Sequence, residues 1–241
     1  MTDERTAIVI GASSGIGAAL ARRLGERGYT VGITARRRPE LETVAESIDG
    51  ETYVTTMDVA NAETARETFH DLDEAMGGAT LVVISAAILR ENPELSWPEE
   101  RGTIDVNVRG FTALSTAAIE AFERRGRGHL VGISSLAAHV GVGQVPAYPA
   151  SKAFVSRYLE GLRFRASGRD ADVTVTTIEP GYVDTGMALG DLWIVSAERA
   201  ARAIVRAIER NRAHAYVPRR WALVAALLAI LPDVLLRRLL S

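Results

Sequence analysis

The chain has 241 residues, 47% of them hydrophobic and 24% charged, with a formal net charge of −2. That is enough apolar mass for a substantial core, and the composition is far from that of a disordered protein. The near-neutral charge gives no electrostatic ground for a nucleic-acid partner, and the lack of cysteine excludes disulfides, zinc ribbons, iron–sulfur clusters and thiolate catalysis.

Apolar β-branched runs alternate with helical patterns along the chain. Strands are predicted at Thr6–Ile10, Tyr29–Thr34, Thr52–Thr56, Thr80–Ser85, His129–Ser134, Val173–Ile178 and Ala215–Val217. Helices are predicted between them near 15–27, 40–48, 62–76, 98–125, 148–167 and 197–211. Continuous apolar strands separated by helices indicate an α/β fold, a doubly wound parallel sheet of about seven strands in a single domain. A strand begins almost at once, so no signal sequence is expected, and the expected location is the cytoplasm. The four histidines include no H-x-x-x-H pair, and no metal is expected.

The first strand runs into Gly11-Ala-Ser13-Ser14-Gly15-Ile16-Gly17, followed by a helix with Ile16, Leu20 and Leu24 on one face. Glycines here let the backbone turn tightly and approach a pyrophosphate, whose charge meets the free N–H groups of the helix start. Strand before and helix after make this a dinucleotide site. The second strand ends at Ala35, where a site for NAD usually has an acid on the ribose hydroxyls; Arg36, Arg37 and Arg38 follow. A guanidinium suits a 2′-phosphate. Arg36 is the first candidate, Arg37 the second, and Arg38 is expected in solvent. Asp58 and Val59 follow the third strand and suit the adenine amine and face.

Tyr148-Pro-Ala-Ser-Lys152 opens a long helix, and residues four apart share a face. A tyrosine near pKa 10 is a poor base, but an ammonium alongside favours the phenolate. Of 28 basic residues 27 are arginine, and the one lysine stands where this chemistry needs an ammonium. Ser135, at the end of the fifth strand, would point a hydroxyl into the crevice where such sheets bind ligands. Asn107 lies within the long fourth helix.

Together these motifs resemble the short-chain dehydrogenase/reductase family over residues 5–217. The glycine loop, Asp58, Asn107, Ser135, Tyr148, Lys152 and Pro180-Gly181-Tyr-Val183-Asp-Thr185 stand in family order. The resemblance implies Tyr148 as acid/base, Ser135 as substrate-orienting hydroxyl, and Lys152 as the group that lowers the tyrosine pKa and holds the nicotinamide ribose. It implies Asn107 as keeper of a kink and of a relay water, and Pro180, Gly181, Val183 and Thr185 along the nicotinamide. Two departures stand out: Ile10 replaces a threonine, and Ile84-Ser85-Ala86-Ala87 stands where the family has Asn-Asn-Ala-Gly, with Ala87 beside the adenine ribose. A modest effect on cofactor affinity or stability is expected, with the reaction unchanged.

The resemblance implies an oxidoreductase interconverting a carbonyl and a secondary alcohol or an aldehyde and its alcohol, and the arginines favour NADP(H) over NAD(H). Apolar residues in Gly186–Ser196 favour an apolar substrate. The helices near 98–125 and 148–167 resemble the family's dimer interface, so a homodimer or homotetramer is expected. Alternatives of another class are an idle dinucleotide-binding regulator and a membrane-surface scaffold. The catalytic domain is expected over 1–218, followed by an apolar helical extension over 219–241. Trp221 to Leu236 has 16 residues even counting Pro232 and Asp233, short of the roughly 20 a span requires. Packing within or between subunits and docking on a membrane surface both stay open.

Overall fold

The computed structural model describes residues 5–184 and 193–231. Seven parallel strands form the central sheet: β1 Thr6–Ile10, β2 Thr30–Ala35, β3 Thr52–Thr56, β4 Leu81–Ile84, β5 Arg127–Ile133, β6 Asp172–Pro180 and β9 His214–Val217. Their order is β3-β2-β1-β4-β5-β6-β9, so the chain reverses direction across the sheet between β1 and β4. Ile10 is in register with Thr34 on one side and Ile84 on the other, which aligns the carboxyl ends of the three strands at that switch point. Ligands of open parallel sheets bind there.

Helices cover both faces: α1 Gly15–Gly25, α2 Arg38–Ala45 and α7 Ala197–Ile208 on one, α3 Ala62–Ala75, α5 Phe111–Arg125 and α6 Ala147–Ser167 on the other. Alternation along β1 feeds two cores, with Ala7 and Val9 packing on the first face and Ile8 and Ile10 on the second. In α7 the buried Ala200, Ala201, Ile204, Val205 and Ile208 oppose exposed Arg199, Arg202 and Arg206. Ser196 starts this helix by accepting the Arg199 amide at 3.2 Å, a usual N-cap contact. Gly126 ends α5 at φ 77°, a left-handed stop that glycine adopts without strain.

Three features differ from the expected pattern. The helix predicted over 98–125 is broken into α4 Trp97–Ile104, a π-helical turn at Asp105–Gly110, and α5. A 3₁₀ turn, Leu136–His139, follows β5, and a two-stranded ribbon pairs β7 Val183–Asp184 with β8 Val195–Ser196. These pieces are too short to carry a periodic signal. A last helix, α8 Trp221–Ile230, carries the first ten residues of the apolar run, and residues 232–241 lie outside those described. Its first residue, Trp221, is 2% exposed and packs edge-on against Tyr182 and Trp193.

Candidate active site

The turn after β1 is built by backbone rather than side chains. Gly11 has φ +89°, and its N–H donates to Thr34 O at 2.7 Å, with Ala12 N following at 3.0 Å. A side chain on Gly17 would stand 2.1 Å from Gly11 O, so only glycine lets α1 begin against the end of β1. Ser14 precedes the helix in extended conformation, and its hydroxyl makes no cap, leaving the helix start for another acceptor. Such a cradle fits a pyrophosphate.

From this turn a cavity of about 1020 Å³ runs along the carboxyl edge of the sheet. Gly11, Ser13, Ser14, Gly15, Ile16, Arg36 and Arg37 line one end, Ala86, Ala87 and Val59 the middle, and Ser135, Tyr148, Lys152, Pro180, Gly181 and Val183 the other. Gly17 sits behind the turn as a packing residue, and Thr185 lies outside the described residues. Asp58 is exposed and outside the lining; its carboxylate accepts the Ala60 amide at 3.1 Å, while Met57 and Val59 face the cavity. The amides of Ser85 and Ala86 both donate to Ile10 O, at 2.8 and 2.9 Å. Backbone therefore ties β4 to β1 at the point where the asparagines are missing.

The arginines separate by their partners. Arg37 reaches Ser13 Oγ at 3.2 Å and Glu40 at 3.1 Å, and Arg38 pairs with Glu42 at 2.8 Å away from the cavity. Arg36 lines the cavity, is exposed, and has no ion-pair partner among the described residues.

Tyr148 and Lys152 stand one turn apart at the start of α6, their side chains together: the Lys152 ammonium lies 5.7 Å from the centre of the phenol ring. Lys152 is 3% exposed and donates to Ile133 O at 2.9 Å. Burial pushes its pKa down to about 8. Burial raises the Tyr148 pKa, and a hydrogen bond with Ser135 opposes the rise without cancelling it. The expected depression by Lys152 is thus not what governs the phenol in the protein alone. Tyr148 holds its proton at neutral pH, which is the form an acid needs.

The Lys152 charge has a calculable pH dependence. The ammonium persists at neutral pH and is lost as pH rises through about 8. Since the unfolded chain keeps its lysine proton to higher pH, deprotonation here adds stability above that point rather than removing it. Cofactor affinity, measured by fluorescence titration, is therefore expected to fall above about pH 8 while the thermal midpoint shows no matching loss from this group.

Asn107 is 1% exposed in the π-helical turn. Its Oδ1 accepts the Ile88 amide and its Nδ2 donates to Ile88 O, both at 2.8 Å, and Nδ2 also donates to Ser151 Oγ at 3.0 Å. Ser151 donates to Tyr148 O at 2.7 Å. Asn107 thus fastens the segment after β4 to the first turn of α6 from within the π-helical turn. Its contacts reach the backbone of Tyr148, not the phenol.

Sequence patterning missed one buried carboxylate. Glu179, 2% exposed near the end of β6, accepts Ser156 Oγ of α6 at 2.7 Å and His139 Nε2 of the 3₁₀ turn at 2.7 Å, and lies 3.3 Å from His214 Nε2 of β9. Burial alone would raise its pKa, but the hydrogen bonds from His214, Ser156 and His139 together hold it below the usual carboxylate range. Ser134, next to Ser135, lies 2.8 Å from Ser156 and donates to Lys152 O at 2.8 Å. Glu179 is thus the common anchor of the Ser135 turn and the helix bearing Tyr148 and Lys152. Only a signal joining three distant segments could have found it. Glu179→Gln turns an amide N–H₂ toward donors and is expected to cost about 1–3 kcal/mol of stability, read as a lower midpoint in denaturant. Because its carboxyl titrates low, that stability is present at neutral pH and is lost as pH falls through the depressed value. Among the described residues no cluster of three or more His, Cys, Asp or Glu could hold a metal ion.

Comparison with known proteins agrees with this fold. The family model described as short chain dehydrogenase matches residues 5–191. The chain belongs to the short-chain dehydrogenase family. An oxidoreductase of Myxococcus xanthus, itself described as uncharacterized, is 35% identical over 240 residues, covering 96% of this chain and 94% of that one. Among solved structures, the apo form of LigD from Sphingobium sp. strain SYK-6 superposes with a TM-score of 0.82 at 20% identity, over 93% of this chain and 94% of the other, a likeness of fold. A mutant of a Serratia marcescens short-chain dehydrogenase/reductase gives 0.74 at 25% identity, over 84% of this chain and 89% of that one. As a family member the chain is an oxidoreductase that uses a nicotinamide cofactor, of a family that generally acts on small molecules as oligomers.

Proposed function

We propose that this short-chain dehydrogenase is an NADP(H)-dependent reductase of an uncharged carbonyl compound with an apolar body. The observation that carries it is the pairing of two ends of one cavity: Arg36, with no ion-pair partner among the described residues, beside the glycine turn, and Ser135 hydrogen-bonded to Tyr148 above the buried Lys152. A bound nicotinamide would supply the hydride. The glycine turn and the start of α1 would hold the pyrophosphate, Arg36 the 2′-phosphate, and Lys152 the ribose beside the nicotinamide, with Val59 against the adenine.

Ser135 would orient the substrate by donating its hydroxyl proton to the carbonyl oxygen. Tyr148 would give that oxygen a proton as the alcohol forms. Burial keeps the phenol protonated, and this suits reduction better than oxidation. The Lys152 ammonium would then face the phenolate left behind and stabilise it.

Beyond Tyr148 the wall is apolar: Leu136, Val140, Val142 and Val145 from one side, Trp221 and Leu228 from the other. An uncharged substrate body would lose no hydration there without return. Assembly as a homodimer or homotetramer through α5 and α6 completes the proposal; the stacked Phe154 and Tyr158, 5.5 Å apart on α6, support it, with Phe154 and Phe164 left exposed.

A panel of aldehydes and ketones assayed by NADPH absorbance tests the reaction class. Turnover of apolar carbonyls with NADPH, and weaker use of charged ones, is the expected result. NADPH binding without turnover of any carbonyl would favour the idle regulator.

A further inference from the structure

Among the described residues no helix is long and apolar enough to cross a membrane. Yet α8 has no polar side chain from Trp221 to Ile230. Its faces go to three places. Trp221 and Ala225 are buried against the domain. Val224, Leu227, Leu228 and, one residue past the helix, Leu231 line the substrate end of the cavity, a strip about 10 Å long at 1.5 Å per residue. Leu223 and Ile230, 77% and 78% exposed, face away from both. Leu227 belongs to two sets, since it lines the cavity and is still 51% exposed, so the cavity mouth opens onto the apolar outer face.

Trp193 and Ile194 are both more than two-fifths exposed, and Trp193 packs edge-on against Trp221 at the start of α8. Arg220 lies 5.0 Å over the Trp193 ring and donates to Trp193 O at 3.2 Å. Arg219 and Arg220 are exposed at the amino end of α8 and have no ion pair among the described residues. Cations gain nothing from the positive end of a helix; beside an apolar face they suit anionic headgroups. A second copy docked here would cover the mouth and close the path of the substrate, whereas a lipid surface would feed it.

We infer that α8 rests on an anionic lipid surface through Leu223, Leu227 and Ile230, with Arg219 and Arg220 at the headgroups, and that the cavity draws from that surface a carbonyl compound whose apolar tail lies along Val224, Leu227, Leu228 and Leu231. The substrate half rests on the carbonyl-reductase proposal; the docking half does not.

The test uses the full chain with vesicles of phosphatidylcholine alone and of phosphatidylcholine with phosphatidylglycerol. Cosedimentation with the anionic vesicles is expected, weakened by high salt and reduced roughly tenfold or more in a Leu223→Glu/Ile230→Glu variant. Neither residue lines the cavity, so the variant is expected to keep its melting temperature and its rate on a short, water-soluble aldehyde. In an n-alkanal series kcat/KM is expected to rise about fourfold per methylene until the tail outruns the strip.

Wild-type protein that ignores anionic vesicles overturns the docking, as does a variant that binds them equally well. A dimer in solution that the variant abolishes, with no vesicle binding, assigns the face to a second copy instead. A flat chain-length series overturns the substrate assignment. If no aldehyde at all is reduced, the reductase proposal fails while the vesicle result still decides the docking.

Discussion

Tyr148→Phe is expected to lower carbonyl reduction by about 10²- to 10⁴-fold while NADPH affinity stays within a few-fold of the parent. In the proposed reduction the phenol is the proton donor, and phenylalanine keeps the ring that packs by Lys152 but has no proton to give. The substitution keeps the half-buried ring and removes one hydroxyl and its hydrogen bond with Ser135 without opening a void. Steady-state turnover and fluorescence titration of the cofactor separate the two effects. If Tyr148→Phe keeps near-native turnover, the acid is another group; if cofactor binding collapses too, the tyrosine acts chiefly in holding the nucleotide.

Arg36→Ala is expected to weaken NADPH by roughly ten- to a hundredfold and NADH hardly at all. A charge-assisted contact contributes about 1.5–3 kcal/mol, and each 1.4 kcal/mol is a factor of ten. Arg36 has no competing carboxylate among the described residues, whereas Arg37 already has Ser13 and Glu40. Arg37→Ala should therefore cost less than Arg36→Ala in the same titration. Equal losses for both cofactors would remove Arg36 from the 2′-phosphate, and tighter binding of NADH by the parent would reverse the cofactor preference.

The parts of this fold that were readable in the sequence are those written in short local patterns. Thr6–Ile10 lies where the apolar run puts it, because a parallel strand buried on both faces needs an unbroken run, and Thr52–Thr56, a half-buried edge strand, lies where its β-branched and aromatic residues put it. Tyr148 and Lys152 converge because four residues on a helix return to the same face. The π-helical turn at Asp105–Gly110 left no periodic trace: it adds a residue to a helical turn, and Asn107 compensates through Ile88 and Ser151, which lie 19 and 44 residues away.

Glu179 was invisible for a similar reason, since its donors come from the 3₁₀ turn, α6 and β9. The apolar run at the chain end was legible as a problem in burial, but not which face goes where. That depends on Trp221 filling the space over Gly181, where a side chain would stand 2.1 Å from the indole nitrogen. With Trp221 fixed, Val224 and Leu228 face the cavity and Leu223 and Ile230 face out.

The proposed reduction requires direct hydride transfer to a substrate carbonyl at the Tyr148–Ser135 end of the cavity. NADPH carrying deuterium at the transferable C4 position, supplied with an apolar aldehyde or ketone, tests it most directly by mass spectrometry of the product. The predicted result is one deuterium on the carbinol carbon, none incorporated there when the label is in solvent water instead, and a rate that falls by the Tyr148→Phe factor. Oxidation of the cofactor with no labelled alcohol, or label appearing at that carbon from the solvent, would contradict it.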